Sequence, residues 1–501
     1  MMHLLQFTLF MLLCSSLNTI AMAGTGDDRS GKMSLADVVQ AVLDDHPDLS
    51  LSRTDTSLAE ADRGRIRGLL NANINGSISG STTQTPVSSD FQARETRSAS
   101  LAAGISLPLA NGDTLGVQTS YQRTGQNFTS PFAASLARFN PDYRAQIDLT
   151  YRHALLRGAD RPEYHMGLTS VDEKTAAARL NERMIARTLG LSALNAFFRL
   201  SSDDINTAIA KEAVARARQL LRYQKSRQAF GLIEQAEALQ AEALLAVRRT
   251  DLQRAIAQRR SDESALNRLM RIKPDSQIQL DAAPTLNKST VPDFDAAEQQ
   301  AIRSRPDLQA VDAQIKAAVA DLAVARDADR MQLDVVALLG SRSLNSNAGP
   351  AAASGLSVND RVATLSLEMQ DTLVRSSAKS AIRKAELARQ RLTQQRRQTL
   401  ERIRDDLAAA IAAIETGIPS LRMSNRQAVA EQKKYQAELK RYREGRSDTA
   451  TLVQFEGELR NARLQARLQA LTLQLARYQL VWSEGRLLTR LGIDLPETER
   501  P

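Results

Sequence analysis

Along this chain the apolar positions keep two different periods. In one kind of segment they alternate with polar residues: Ala72, Ile74, Gly76 and Ile78 against Asn73, Asn75, Ser77 and Ser79, and Leu115, Val117, Thr119 and Tyr121 against Gly116, Gln118, Ser120 and Gln122. Leu101, Ala103, Ile105 and Leu107 form another such row, as do Ile147, Leu149 and Tyr151. Much later, 333–339 alternates less cleanly, and Ala363, Leu365, Leu367 and Met369 alternate with Thr364, Ser366, Glu368 and Gln370. Period two predicts strands with one apolar and one polar face, four in the first part of the chain and two in the second.

The other kind of segment is helical. From Glu163 to Lys273 there is no proline, and Ala, Leu, Arg, Gln and Glu predominate; these are strong helix formers. One helix of about 65 residues ending near Phe230 would reach about 100 Å at 1.5 Å per residue. Leu232, Ala236, Leu239, Ala243 and Val247 recur at intervals of three and four and predict a packing seam. A second helical region reads as 376–416, 420–444 and 447–491, with a break predicted at Gly417 and Pro419. Gly231 and Gly445 mark reversals, because glycine takes the left-handed conformation that ends a helix.

The two parts follow one plan. Ser34-Leu35-Ala36-Asp37, then His46-Pro47-Asp48-Leu49, is echoed by Asp293-Phe294-Asp295-Ala296, then Arg305-Pro306-Asp307-Leu308. Tandem repeats are predicted at 34–285 and 293–495, across a polar linker with two prolines. The first is longer by enough for one additional hairpin, placed at about 97–125.

The connections decide what the strands are for. Each segment alone suits a half-buried sheet in a soluble protein. Asn111-Gly112-Asp113 is a tight-turn signal, whereas 86–96 and 124–144 are long and polar, and short turns on one side with long loops on the other are the pattern of outer-membrane barrels. Phe128, Phe132, Phe139 and Tyr143 gather beside the second long loop, where an aromatic girdle would lie. Six strands cannot close a conducting barrel. An open edge in lipid leaves backbone groups unpaired at several kcal/mol each, so further copies of the chain must complete it.

Composition narrows the class. Leu4 to Leu13 are apolar and Ala21-Met22-Ala23 follows, which predicts a signal peptide at 1–23. Cys14, the only cysteine, falls inside it, so no disulfide or thiolate metal site is expected in the mature chain. No other stretch approaches the roughly 20 apolar residues of a transmembrane helix. The net charge of +9 would suit nucleic acid, but aromatic residues are 4% and the basic residues are interleaved with acidic ones, as on solvated helices. His3, His46, His153 and His165 show no metal-binding spacing such as H-E-x-x-H, and there is no Gly-rich phosphate loop. The expectation is a passive conduit: no enzyme, no cofactor, no metal. A pore-less periplasmic coiled-coil adaptor or scaffold, and an exported enzyme on a helical scaffold, are the alternatives from other classes.

The duplicated halves, the H-P-D-L-like openings, the helix–strand–strand–helix order and the glycine reversals resemble the TolC family of outer-membrane efflux proteins, over nearly the whole mature chain. The resemblance implies a mainly α protein with a transmembrane β-barrel, trimeric, with 12 or 18 strands per trimer. It also implies a place in the outer membrane and periplasm, and a role as the channel of a tripartite efflux or type I secretion system. The implied partners are a periplasmic adaptor and an inner-membrane RND or ABC pump. In this family the reversals form the periplasmic tip, which maps adaptor contact onto Phe230, Gly231, Leu232, Gly445 and Arg446. Tyr442 matches a tyrosine that latches a closed entrance. Thr451 and Gln454 stand where two constricting aspartates would be, and Glu237, at the equivalent place in the first repeat, could supply one carboxylate per protomer.

Overall fold

The structure, a computed structural model, describes residues 32–231, 233–282, 286, 291–355 and 360–493. The expected signal segment, Leu232 and the repeat ends at 285 and 495 lie outside the described residues. The first part of the chain runs α1 (Leu35–Asp44), α2 (Pro47–Arg67), β1 (Asn73–Gln84), β2 (Ala93–Pro108), β3 (Thr114–Phe128), α3 (Pro131–Leu136), β4 (Asp142–Ala154), α4 (Pro162–Ala229) and α5 (Gln235–Leu269). The second runs α6 (Phe294–Ser304), α7 (Pro306–Ala328), β5 (Gln332–Asn345), α8 (Ala348–Gly355), β6 (Arg361–Gln370), α9 (Ser376–Arg443), α10 (Thr449–Ser483) and α11 (Leu487–Arg490).

The helix starts follow their caps. Ser34 and Asp37 close a capping box on α1, and the Asp293 carboxylate accepts from the Ala296 amide on α6. Pro47 and Pro306 open α2 and α7 at the position where a missing N–H costs nothing. The residue before each proline has diverged. His46 only caps its helix, through an Nδ1 that accepts from the Asp48 amide at 3.3 Å. Arg305 is buried and donates to Asp307 and Asp406 at 2.8 Å each.

α4 and α9 each span 68 residues, about 100 Å at 1.5 Å per residue. α2 and α5 both pack along α4; α7 and α10 do the same along α9, and α7 and α10 also join the two sets by touching α4. The predicted break at Pro419 does not occur, since α9 runs through it. Gly417 packs so closely on α10 that a Cβ there would meet Leu473 Cδ1 at 3.0 Å. The flanking hydroxyls keep nearby carbonyls bonded, Thr416 to Ala412 O at 2.8 Å and Ser420 to Thr416 O at 2.7 Å. Packing overrides the local penalty of a proline. The chain breaks instead after Ser483, at Gly485 with φ of 81°.

Two cores lie at mid-length, and the first draws on Tyr478 and Leu487 of the second part as well. Leu35, Val38, Val39 and Val42 of α1 pack against Leu194, Phe197 and Leu200 of α4. Ala297 and Ala301 of α6 pack with Ile403, Leu407 and Ile414 of α9. The seam predicted on α5 is displaced. Ala236, Leu239, Ala243 and Val247 are all exposed in the protomer, and α5 turns Ala238, Ala241, Leu245 and Arg248 inward instead.

The six strands form one antiparallel sheet in chain order, β1 to β6. The hairpin β2–β3 therefore lies within the sheet, between β1 and β4. In register, Ile74, Ile105, Val117, Leu149, Leu339 and Ala363 form one row, and Leu107, Leu115, Tyr151, Ala337 and Leu365 the next. The other face carries Asn75, Ser77, Ser100, Gln118, Ser120 and Thr150, with an ion-paired group in which Arg152 donates to Asp334 at 2.7 Å and meets Glu368 at 2.8 Å.

Strands reach further than expected, into the loops read at 86–96 and 124–144. Ser98 pairs with Thr124 and Arg97 with Gly125. There both faces are polar, so no alternation betrays the strand. The expected aromatic cluster is divided into separate contacts: Tyr143 with Tyr121 (6.3 Å between centroids), Phe132 with Phe91 (6.4 Å), and Phe139 beneath Arg138.

Candidate functional site

The helical hairpins reverse at Gly231, with φ of 68°, and Gly445, with φ of 72°. A Cβ at either would meet nothing within 4 Å, so the backbone conformation alone asks for glycine. At the second turn the Arg446 amide donates to Arg441 O at 2.8 Å and the Gly445 amide to Tyr442 O at 3.1 Å, the paired bonds of a Schellman cap. Phe230 projects outward, 77% exposed, and Arg446 pairs with Glu444. Both turnarounds thus present side chains to solvent at the end of the molecule far from the sheet.

Just behind the turns, four helices are tied by one buried hydroxyl. Thr449, at the start of α10, donates to Glu237 Oε2 of α5 at 3.1 Å. Thr449 Oγ1 itself accepts from Gln224 Nε2 of α4 at 2.6 Å and lies 3.1 Å from the Tyr442 hydroxyl of α9. Gln224, Thr449 and Tyr442 are all 1% exposed or less. The Tyr442 ring also stacks at 5.9 Å on Tyr223, and burial pushes its phenol above the ordinary range. Two of the predicted gate residues, Glu237 and Tyr442, therefore share a network. The other two stand apart: Thr451 supplies the amide that Asp448 caps at 2.7 Å, and Gln454 bonds Glu458 at 2.9 Å on an exposed face.

A second knot lies two turns further along. Glu456 of α10, 3% exposed, accepts from Arg248 of α5 at 2.8 Å and from Arg216 of α4 at 3.2 Å. Arg460 reaches Asp251 at 2.8 Å and Arg463 reaches Glu212 at 3.3 Å. These groups escaped the reading of the sequence because interleaved charge looks like a solvated surface. Arg248 carried a usable signal: it continues the buried seam Ala238, Ala241, Leu245 at spacings of three and four.

Among the described residues no cluster of His, Cys, Asp or Glu could hold a metal ion, and no helix is long and apolar enough to cross a membrane. No family model matches the chain, and a search of curated proteins finds no relative. Solved structures do match. The chain has the fold of TolC-like outer-membrane channels, a six-stranded antiparallel sheet on long helical hairpins here. It is similar to the outer-membrane channel OprN, with a TM-score of 0.65 at 17% identity, covering 91% of this chain and 93% of that one. CmeC of Campylobacter jejuni matches with a TM-score of 0.62 at 15% identity over 92% of this chain and 87% of that one. VceC of Vibrio cholerae matches with a TM-score of 0.62 at 13% identity, over 90% and 96%.

Proposed function

We propose that three copies of this chain form a passive channel across the outer membrane, continued through the periplasm by a barrel of their helices. One observation carries the reading: the sheet exposes a broad apolar face while β1 and β6 each keep one edge without a partner strand. In water such a face is a liability and such edges invite aggregation. In lipid the face is at home, and three sheets joined edge to edge leave no unpaired backbone. With β2 and β3 inside the sheet, three copies give an 18-stranded wall rather than 12. The exposed seam at Ala236, Leu239, Ala243 and Val247 is the helical counterpart of the open edges, a surface for the neighbouring copy. A pore-less adaptor leaves both features without a role.

The turnarounds are the proposed entrance, docking a periplasmic adaptor and through it an inner-membrane RND or ABC pump. Phe230 and Arg446 are the contacts, with Leu232 beside them in sequence. Thr449 holds Glu237 and Tyr442 in the closed arrangement, so opening must break bonds among four helices. Thr451 and Gln454 place no acidic ring there. Planar-bilayer recording of the purified protein tests the reading. Stepwise conductance from detergent-solubilised trimers is expected; a monomer that stays soluble without detergent and conducts nothing would overturn it.

A further inference from the structure

The connection from β5 to β6 does not simply project from the sheet. Its helix α8 packs on β4 and β5. Tyr121 Oη donates to Ala348 O at 3.2 Å, Ser343 Oγ donates to Ala351 O at 2.5 Å, and a Cβ on Gly355 would come within 2.9 Å of Ala145 Cβ. Leu101, Tyr121, Ala145 and Ser343 are register partners across four strands, so all lie on the apolar face. α8 therefore lies against the outside of the proposed wall, away from the lumen.

Its position fills a gap. Along β5 the outward residues are Ala337 and Leu339, then Ser341 and Ser343. Both serines are buried. Where the strand stops supplying apolar side chains, α8 supplies them: Ala-Gly-Pro-Ala-Ala-Ala-Ser-Gly has no charge, and Pro350, Ala352 and Ala353 face outward and exposed. The next row of the sheet marks the polar rim, because Arg123 donates to the Tyr143 hydroxyl there at 3.3 Å. Tyr121 and Tyr143 flank the helix at the level where tyrosines favour a membrane boundary.

We propose that α8 is a lipid-contacting helix, continuing the apolar band of the barrel and packing against acyl chains just below the outer rim. This rests on the outer-membrane reading of the sheet. The probe is a nitrobenzoxadiazole label on single cysteines in the full chain carrying Cys14→Ser, reconstituted in phosphatidylcholine vesicles with shallow doxyl-labelled lipid. Val117→Cys reports the barrel wall, Ala353→Cys reports α8, and Ser50→Cys on an exposed turn of α2 reports water. Quenching at Ala353→Cys within about two-fold of that at Val117→Cys, with Ser50→Cys unquenched, is expected for a helix at the lipid boundary. Quenching at Val117→Cys without quenching at Ala353→Cys would overturn the proposal, leaving α8 in water or beneath a neighbouring copy. Absence at both positions would bring down the barrel reading, and the proposal with it.

Discussion

α4 and α9 have the same length and opposite surroundings. α4 lies amid α1, α2, α5, α7 and α10 and buries 21 of its residues; α9 meets α6, α7 and α10 and buries 10. One is the axis of the protomer, and the other is a stave at its margin. The difference explains why a chain with two similar helical halves is not symmetric: its first long helix is enclosed by neighbours from both halves, and its second is left open along Met423 and Val429. In the proposed trimer an open flank on a long helix, like an open strand edge, is where a neighbouring copy packs.

The comparison can be broken at the enclosed helix first. Phe197→Ala removes a fully buried ring packed between Phe198 and the core of α1, and about 3–5 kcal/mol of stability should be lost in detergent denaturation. Met423→Ala on the open flank should cost the isolated protomer far less and act on trimer yield instead. Glu456→Ala removes the carboxylate that Arg248 and Arg216 share, leaving them the longer contacts to Asp251 and Glu212, and should cost up to about 3 kcal/mol, read as a lower melting temperature that Glu456→Gln restores only in part.

The enclosed helix also titrates. Burial, then the facing Asp262, pushes Asp203 of α4 up to about 7, with Asp204 adding to the effect and Arg199 opposing it. A carboxyl raised above its unfolded value of about 3.9 binds more protons when folded. Its contribution is therefore complete below that value and declines as pH rises toward 7. Melting curves from pH 5 to 8 should fall for the natural chain. They should be flatter for Asp203→Asn, which becomes the more stable protein at pH 8.

Smaller effects sharpen the contrast between the helices. Pro419 has no counterpart in α4, and Pro419→Ala should stabilise α9 by roughly 1–3 kcal/mol, since proline is the poorest residue in a helix interior. Gly445→Ala should cost about 1 kcal/mol, the penalty for a left-handed residue with a side chain, without a steric clash.

What was legible in the sequence followed from how many neighbours each residue needs. The strands announced themselves through Ile74, Ile105, Val117 and Leu149, because one face of a sheet repeats at period two whatever lies beside it. Gly231 and Gly445 were equally plain, their requirement being local. Pro419 misled because its cost is local, whereas the close packing of neighbouring Gly417 on Leu473 of α10 is not. The α5 seam misled because that helix has two apolar stripes, and sequence spacing does not say which one faces inside the protomer. Gln224 and Thr449 gave no signal: an ordinary amide and hydroxyl acquire a role only when four helices meet around them. α8 was silent as well, its alanines and glycines giving no amphipathic pattern.

Backbone amide exchange of the reconstituted protein tests most directly whether sister chains seal the sheet. In the assembled state the amides of β1 and β6 should be protected as strongly as those of β3, which has a strand on both sides in the protomer. Fast exchange along β1 and β6 with β3 still protected would contradict it.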